Sequence, residues 1–511
     1  MYTMNAPYSR AAAIASPSAT RSRAADPGGT SSPNSMAAAY VACRRLRTYQ
    51  RWRPGVLGRM CRAGSPATIA AMTYVLVLAA AWGVTTALSM PRGPLTTAEA
   101  LTSIVISIAV GLAAGRLWRS RWTLLAAPAA FLLALELGRI PVRGPSVDAP
   151  HASAFGFVAL VAGRGVHGLL SVFPMLLGVS YGRGVAGGWK RLVTGAATAV
   201  LLVLTVLVAL PARTAPLPGV AELTTVDGLN VMIRGGHTAR PVLLFLPGAP
   251  GGSELGAMRK HLSALEDSFV VATLDRRGGG ASYAALGRTV TMDDAIADTL
   301  AVTDYLRTRF HQDKIFLLGH SGGSLVGALT AHRHPERYRA YIGTGQAVDV
   351  EASDKLFYAD ILAWARTGGR TSLVRQLTDQ GPPPWKDVYA YEPIMLYENE
   401  VYGQRSEFVV DVPEYTLLQK AHTLNAILDT WTLFYPRVQD VDLRREVRSL
   451  AVPAYFVQGT NEMRGLAVLF AEWYEALDAP VKRLERFEGA GHRAMFEQPD
   501  RFVTFMASLP T

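Results

Sequence analysis

The segment Lys314–Ser324, KIFLLGHSGGS, sets the strongest constraint on what this chain can fold into. An apolar run (Ile315, Phe316, Leu317, Leu318) ends in Gly319-His320-Ser321-Gly322-Gly323, and a helix-forming stretch follows from Ser324 (SLVGALTAHR). A buried strand, a Gly-x-Ser-x-Gly turn and then a helix is the context that lifts a serine hydroxyl clear of a sheet. The glycines have a steric reason, because a Cβ at Gly319 or Gly323 would crowd strand against helix around a strained turn. A glycine-rich turn that merely contains serine predicts nothing elsewhere in the chain, whereas here three further segments complete a pattern.

Pro241 to Gly252 (PVLLFLPGAPGG) reads as a strand running into a Gly/Pro loop upstream of the serine. Phe269 to Ser282 (FVVATLDRRGGGAS) is a second strand ending in a polar, glycine-rich turn. Val452 to Glu462 (VPAYFVQGTNE) and Leu484 to His492 (LERFEGAGH) place an acid and then a histidine after two more strands. The order serine, acid, histidine is that of the α/β-hydrolase fold. Together these segments resemble the proline iminopeptidase-like branch of the α/β-hydrolases, whose members carry versions of HGGPG, DQRGxGxS, GxSxGxS, GxxD and GH. The resemblance covers about the last three hundred residues.

It implies a site. Serine needs a base within hydrogen-bond reach and a group that orients the base. Ser321 is the expected nucleophile and His492, in a Gly-Ala-Gly-His turn, the expected base. The family usually has Asp three residues after a glycine; Gly459-Thr460-Asn461-Glu462 offers Glu462, a residue type the fold accepts there. Asp349, at the end of Gly345-Gln346-Ala347-Val348-Asp349, is the rival acid. Two backbone N–H groups should form the oxyanion hole: that of Gly322, directly after the nucleophile, and by resemblance that of Ala249, because Pro247-Gly248-Ala249-Pro250-Gly251 aligns on His-Gly-Gly-Pro-Gly. Pro247 and Ala249 depart from the family there, so the loop must be supported differently. Asp275 to Ser282 (DRRGGGAS) resembles DQRGxGxS, a brace for the active-site loops with no catalytic step assigned, and His320 reads as a packed, structural histidine. Three side chains and two amides complete such a reaction, so no metal or organic cofactor is expected.

For substrate, the resemblance implies removal of an amino-terminal residue, often proline, from short peptides, with cap carboxylates binding the free amine. Glu392, Glu398, Glu400, Glu407 and Glu414 are the acids available, with no Trp-x-x-Trp-Glu segment, and each also reads as an ordinary solvated charge. Trp385, Tyr389, Tyr391 and Tyr397 either line an apolar pocket or form the cap core. Two rivals stand beside the peptidase: an esterase or lipase-type hydrolase, and a membrane transporter or sensor whose hydrolase-like domain only binds ligand. The intact serine, acid and histidine argue against the second.

The chain of 511 residues is too long for one ordinary domain, carries a net charge of +11 and is 50% apolar. Ala63 to Pro91 and Leu192 to Ala212 are stretches of bilayer length, the first uncharged and approached by Arg44, Arg45, Arg47, Arg51, Arg53, Arg59 and Arg62. The weaker segments between them (100–115, 122–142 and 152–182) add about three more spans. The positive charge is thus expected to flank membrane helices rather than to bind nucleic acid. Arg116, Arg119 and Arg121 share a side with Arg183, Lys190 and Arg191; positive-inside then puts the amino terminus in the cytoplasm and, after an odd number of spans, the hydrolase outside. A hairpin over 152–182 would instead leave it cytoplasmic. Glu136 and Arg164 within these segments read as helix-end or helix-helix charges rather than as part of a transport path. The two cysteines, Cys43 and Cys61, both lie in the amino-terminal tail and cannot staple the catalytic part.

The expected organisation is a disordered basic tail over 1–62, a transmembrane region of about five helices over 63–212, and a hydrolase domain over 213–511 with a helical cap at about 350–450. The fold class is α/β, preceded by an all-α membrane region.

Overall fold

The computed structural model describes residues 65–142, 144, 149–185, 187–248, 250–404 and 409–510. The tail with its arginines and both cysteines, Ala249 and Glu407 lie outside the described residues. The chain divides into two compact units, Met1–Ala70, of which only 65–70 are described, and Ala71–Thr511.

Five helices precede the sheet: α1 (Pro66–Ser89), α2 (Thr97–Leu117), α3 (Thr123–Arg139), α4 (Ala154–Arg183) and α5 (Gly188–Ala209). Four of them, all but α3, are long and apolar enough to cross a membrane. At 17 residues, with Pro128 inside, α3 stands at the lower limit for a span. The stretch over 152–182 is not a hairpin: α4 is a single helix of 30 residues that accommodates a π turn at Val161–Gly165. Arg164 on that turn reaches Glu136 of α3 at 3.2 Å, the helix-helix contact expected of two charges in apolar surroundings.

Glycines decide how the bundle packs. An ideal Cβ at Gly111 would stand 2.1 Å from the Met175 carbonyl oxygen, and one at Gly178 2.3 Å from that of Ile108. Gly115 and Gly182 repeat the pattern one turn later, against Val179 and Leu112. Two Gly-x-x-x-Gly faces therefore close α2 on α4, which run parallel, with Ser103 and Ser171 hydrogen bonded at 2.7 Å between them. A helix that must run parallel to one two places ahead returns the chain to the same end. The junctions at 118–122 and 184–187, with Arg116, Arg119, Arg121, Arg183, Lys190 and Arg191 around them, thus share one end of the bundle. At the other end Arg92 donates to the carbonyls of Tyr283 (3.5 Å) and Leu286 (3.3 Å) of the sheet domain.

That domain is built on eight strands: β1 (Val220–Val226), β2 (Leu229–Gly235), β3 (Val242–Leu246), β4 (Val270–Leu274), β5 (Ile315–His320), β6 (Tyr338–Thr344), β7 (Ala454–Gly459) and β8 (Lys482–Phe487). Their order is β1-β2-β4-β3-β5-β6-β7-β8. Asp227 and Gly228, with φ of 49° and 83°, turn the β1–β2 hairpin; β2 is antiparallel to β4, and all later pairs are parallel. β3 is buried on both faces, Leu244 and Leu246 toward one core and Leu243 and Phe245 toward the other, as its unbroken apolar run requires.

Helices α6 (Leu255–His261), α7 (Met292–Phe310) and α8 (Gly322–Arg333) connect the strands. Thr291 caps α7 reciprocally with Asp294, and Ala295, Ile296, Val302 and Leu306 enter the core, with Met292 and Leu300 at its edge. Between β6 and β7 lies a helical insertion: α9 (Val350–Thr367), α10 (Thr371–Gln380), α11 (Glu392–Tyr402), α12 (Leu417–Ala421) and α13 (Thr423–Phe434). Trp385, Tyr391, Trp431 and Tyr435 pack edge-on or tilted on one another at 4.8–5.6 Å, and Tyr397 on Trp364 at 5.3 Å, so these aromatics form the core of the insertion.

The close approach of α2 and α4 is testable by a leucine at Gly178. Overpacking against a backbone carbonyl costs about 1–3 kcal/mol or more, so Gly178→Leu should lower the thermal midpoint of the detergent-solubilised protein. Gly168→Leu, at a position with nothing within 4 Å of its Cβ, should leave it unchanged. Equal midpoints for the two variants would refute the packing.

Candidate active site

Parallel strands present their carboxyl ends along one edge, and the expected site residues gather there. Ser321 lies between β5 and α8 with φ 51° and ψ −125°, a backbone conformation that costs a non-glycine residue about 1–3 kcal/mol. Its neighbours enforce that conformation. A Cβ at Gly319 would come within 2.7 Å of Gly323 O, and one at Gly323 within 2.3 Å of the Leu246 carbonyl oxygen, so strand, turn and helix close on one another. The Ser321 N–H donates to Thr344 O at 2.9 Å, which ties the turn to β6.

His492 follows β8 and pairs with Glu462, which follows β7: His492 Nδ1 lies 2.9 Å from Glu462 Oε1. The same oxygen accepts the Met463 N–H at 2.8 Å. With Nδ1–H donated to the carboxylate, Nε2 is the ring nitrogen left to accept a proton. Burial works against the imidazolium, but the Glu462 carboxylate, by charge and hydrogen bond, together with Glu398 holds the His492 pKa above the ordinary histidine value. The His492 ring lies 4.9 Å from that of His320, the residue before Ser321. No hydrogen bond joins Ser321 Oγ to His492 among the described residues, a contact that enzymes often tighten only with substrate bound.

The two candidate acids separate cleanly. Asp349 caps α9, accepting the Ala352 N–H at 2.9 Å, and pairs with Arg444 at 2.6 Å. It is Glu462 that meets the imidazole. His320 is buried, with Nδ1 3.1 Å from Thr344 Oγ1 and Nε2 3.5 Å from Glu254 Oε1; burial holds its pKa well below the ordinary value, which fits a packed side chain.

Gly322 is the first residue of α8, so its N–H has no partner within the helix and points from a helix N-terminus. An ideal Cβ on Gly322 would lie 3.1 Å from Gly248 O, which puts the β3 loop against the elbow. Ala249, the other expected donor, lies outside the described residues; its neighbour Gly248 is held on both sides. Gly248 N–H donates to Glu254 Oε2 at 2.9 Å, and Gly248 O accepts from Arg276 Nη2. Sequence reasoning assigns no role to Glu254 and names Arg276 only as part of the turn that braces the active-site loops. A signal is present in the second of them, an arginine where the family motif has glutamine.

Asp275 is the hub of the glycine-rich turn. It accepts from Ser253 Oγ (2.5 Å), Asn230 Nδ2 (3.1 Å), Ala281 N (2.9 Å) and Tyr415 Oη (2.8 Å), joining the β3 loop, β2, its own turn and the insertion.

Four of the five acids named for the insertion can be placed. Glu392 accepts the Ala154 N–H of α4 at 3.0 Å, Glu400 lies 3.8 Å from Arg370, and Glu414 pairs with Arg259 at 2.9 Å. Glu398, on α11, has no hydrogen bond or ion pair among the described residues. Burial raises its pKa above the usual carboxylate range, opposed by the charges of His492 and Arg493, so it stands within electrostatic reach of the catalytic edge. Among the described residues no group of three His, Cys, Asp or Glu is arranged to hold a metal ion.

Known proteins resemble this chain over its sheet domain. Over 290 residues the chain is 27% identical to the probable aminopeptidase YbaC of Bacillus subtilis (strain 168), covering 54% of this chain and 91% of that one. Among solved structures it is similar to the proline iminopeptidase-related protein of Thermus thermophilus, at 19% identity and TM-score 0.39, covering 56% of this chain and 95% of that one. It is also similar to the proline iminopeptidase of Mycobacterium smegmatis, at 17% identity and TM-score 0.41, covering 56% and 96%. The family model described as "Serine aminopeptidase, S33" matches residues 242–499, half of the chain and the whole stretch from β3 through His492; this chain belongs to that family of α/β-hydrolases and is a hydrolase.

Proposed function

We propose that the protein is a membrane-anchored serine aminopeptidase that removes amino-terminal residues from short peptides through an acyl-enzyme. Ser321 Oγ attacks the scissile carbonyl as His492 Nε2 takes its proton, and Glu462 orients the imidazole and stabilises its charged form. The amides of Gly322 and Ala249 hold the tetrahedral oxyanion. Collapse breaks the C–N bond, and His492 returns the proton to the departing amine. Water, deprotonated in turn by His492, attacks the ester, and Ser321 leaves with the proton. The three side chains and two amides complete this cycle without a cofactor.

The observation that carries the peptidase reading over an esterase is Glu398. A half-buried carboxylate without a partner of its own, close to the imidazole, suits the ammonium group of a peptide amino terminus and has no use in a neutral ester. Hydrolysis of aminoacyl and prolyl amides, compared with short and long acyl esters, tests it on detergent-purified protein. Amide cleavage should dominate and vanish in Ser321→Ala. Glu398→Gln should raise KM for free-amine substrates about 10–100-fold, the worth of one charge-assisted hydrogen bond, and leave N-acetylated substrates alone. A preference for esters, untouched by Glu398→Gln, would overturn the substrate assignment.

The reaction needs neutral His492. Because the folded pKa is raised, kcat/KM should be lost as pH falls through a value above the ordinary histidine pKa of about 6.5. Glu462→Gln should move that acidic limb downward and lower kcat by about 10²–10⁴-fold. Asp349→Asn should leave the limb in place; a limb that moves with Asp349 and not with Glu462 would reverse the choice of acid.

The hydrolase domain is proposed to be extracytoplasmic. The arginine-bearing junctions at 118–122 and 184–187 share the bundle end remote from the sheet, which under the positive-inside rule is the cytoplasmic end. Protease added to intact cells should cut the hydrolase domain; protection in sealed cells with cleavage after lysis would contradict the assignment.

A further inference from the structure

A cavity of about 390 Å³ opens between the bundle and the sheet domain, lined by Arg92, Glu136, Arg139, Arg164 and Arg288 together with Leu286. Four arginines from four segments thus converge on one space: the turn after α1, the last residue of α3, the π turn of α4 and the stretch before α7. Glu136 is the only carboxylate among the described residues that line it. Its Oε1 lies 3.2 Å from Arg164 and 4.0 Å from Arg139, whose side chain is 9% exposed. Arg92 reaches the carbonyls of Tyr283 and Leu286, neutral acceptors that leave its charge in place. Arg288 is exposed and has no hydrogen bond or ion pair among the described residues. One carboxylate cannot offset four guanidinium groups, so the cavity concentrates positive charge.

The level of this charge follows from helix length. Helix α4 has 30 residues, about 45 Å at 1.5 Å each, against a hydrocarbon core of about 30 Å. Counted back from Arg183, at the end remote from the sheet, the roughly 20 residues that cross the core end at Arg164. Arg92, just past the end of α1, and Arg139, closing α3, belong to the same level. Ile140, which also lines the cavity, is 77% exposed and Leu137 56%, an apolar surface suited to acyl chains beside the mouth. A guanidinium fork matches the oxygens of a phosphate, and a basic pocket between helices at the membrane boundary is where a lipid phosphate can reach it.

We propose that this cavity binds the phosphate of an anionic phospholipid from the leaflet on the sheet-domain side, with the headgroup among the four arginines and the acyl chains along α3. The inference rests on the bundle being embedded in a bilayer and not on the chemistry at Ser321. A soluble phosphate ester offers the same charge but no apolar part for Ile140 and Leu137 to meet, which favours the lipid. Arg139 and Arg164 stand on the bundle and Arg288 on the sheet domain, so one bound phosphate ties the two together. A ligand held this way stabilises the folded protein in proportion to its occupancy.

The test is binding of phosphatidylglycerol to the full-length protein in dodecyl maltoside, read as an apparent Kd by native mass spectrometry and as a rise in thermal midpoint. Phosphatidylcholine, whose choline cancels the phosphate charge, should bind at least about tenfold more weakly. Glycerol 1-phosphate, the same headgroup chemistry without acyl chains, separates a lipid from a soluble phosphate. Arg288→Gln should weaken phosphatidylglycerol about fivefold, and Arg139→Gln combined with it about 25-fold or more. Arg191→Gln, at the opposite end of the bundle, should leave the affinity unchanged. If the double variant does not fold, Arg288→Glu, at an exposed position, carries the test with an expected loss of at least about tenfold. The proposal is overturned by equal affinity for the two lipids, by glycerol 1-phosphate binding as tightly as phosphatidylglycerol, by Arg288 and Arg139 variants that bind as the parent does, or by an equal loss in Arg191→Gln. Recovery of the protein in the soluble fraction of lysed cells sinks the membrane reading itself, whereas a membrane-bound protein indifferent to phosphatidylglycerol sinks only this inference.

Discussion

The positive φ of Ser321 is the constraint on which the rest of the candidate site depends. A serine with free choice would leave that region, so its conformation must be imposed by neighbours that cannot retreat. Those neighbours are backbones: Gly323 against Leu246 and Pro247, Gly319 against Gly323 and Ser324. The elbow thereby fixes β3 relative to β5 and holds Gly248 beside Gly322. It also commits β6, because Thr344 O takes the serine N–H and its hydroxyl takes His320. Three strands are registered by one strained residue.

Around that turn the carboxylates divide by what already holds them. Glu462 is buried and hydrogen bonded to His492 and to its own chain, so it acts as a fixed negative end for the imidazole. Glu254 is buried and spent on Gly248, with His320 and Arg493 at 3.5 Å and 3.8 Å from its other oxygen. Asp275 collects donors from four segments. Glu398 alone of these is without a partner among the described residues, and an unsatisfied carboxylate costs stability unless a ligand completes it. The same residue type therefore meets an imidazole, a loop backbone or no donor at all, according to what lies within reach.

The sequence carries the strand order of function well, because Gly-x-Ser-x-Gly, the terminal Gly-His and the unbroken apolar strands each have a local steric or burial cause. The Glu462 and Asp349 alternatives stay open at that level, since either follows a parallel strand; what separates them is Arg444, 95 residues from Asp349, and no local pattern announces that pair. Arg276 and Glu254 are hidden for the same reason, their partner being a loop backbone whose path is set by the elbow. In the membrane region, length and apolarity mark the helices but blur 152–182, where Arg164 and His167 suggest an interruption. A π turn takes up Arg164 without ending the helix, Arg164 finding Glu136 on α3, and His167 just after it lies buried against the loop at Gly93. The glycine pairs of α2 and α4 are visible as letters, but only their facing across parallel helices gives them meaning.

Helix α13 connects these two halves. Asn425 donates to Ala159 O, two residues before the π turn begins, and Leu428 packs with Ala159. From the next residues of α13, the Ala426 carbonyl lies where a Cβ of Gly251 would be, and Thr430 Oγ1 donates to Gly278 O at 3.0 Å. One helix of twelve residues thus touches α4, the loop after β3 and the glycine-rich turn that carries Arg276. Glu392 adds a second tie from the insertion to α4, and Arg92 a third from the bundle to the turn before α7. Because backbone contacts this close leave no slack, α4 cannot shift along its axis without moving α13 or breaking the Asn425 bond, and α13 cannot move without disturbing the loop that flanks Ser321. The bundle is therefore part of the packing that holds the loop after β3 and the glycine-rich turn in place, through the contacts of α13 with Gly251 and Gly278.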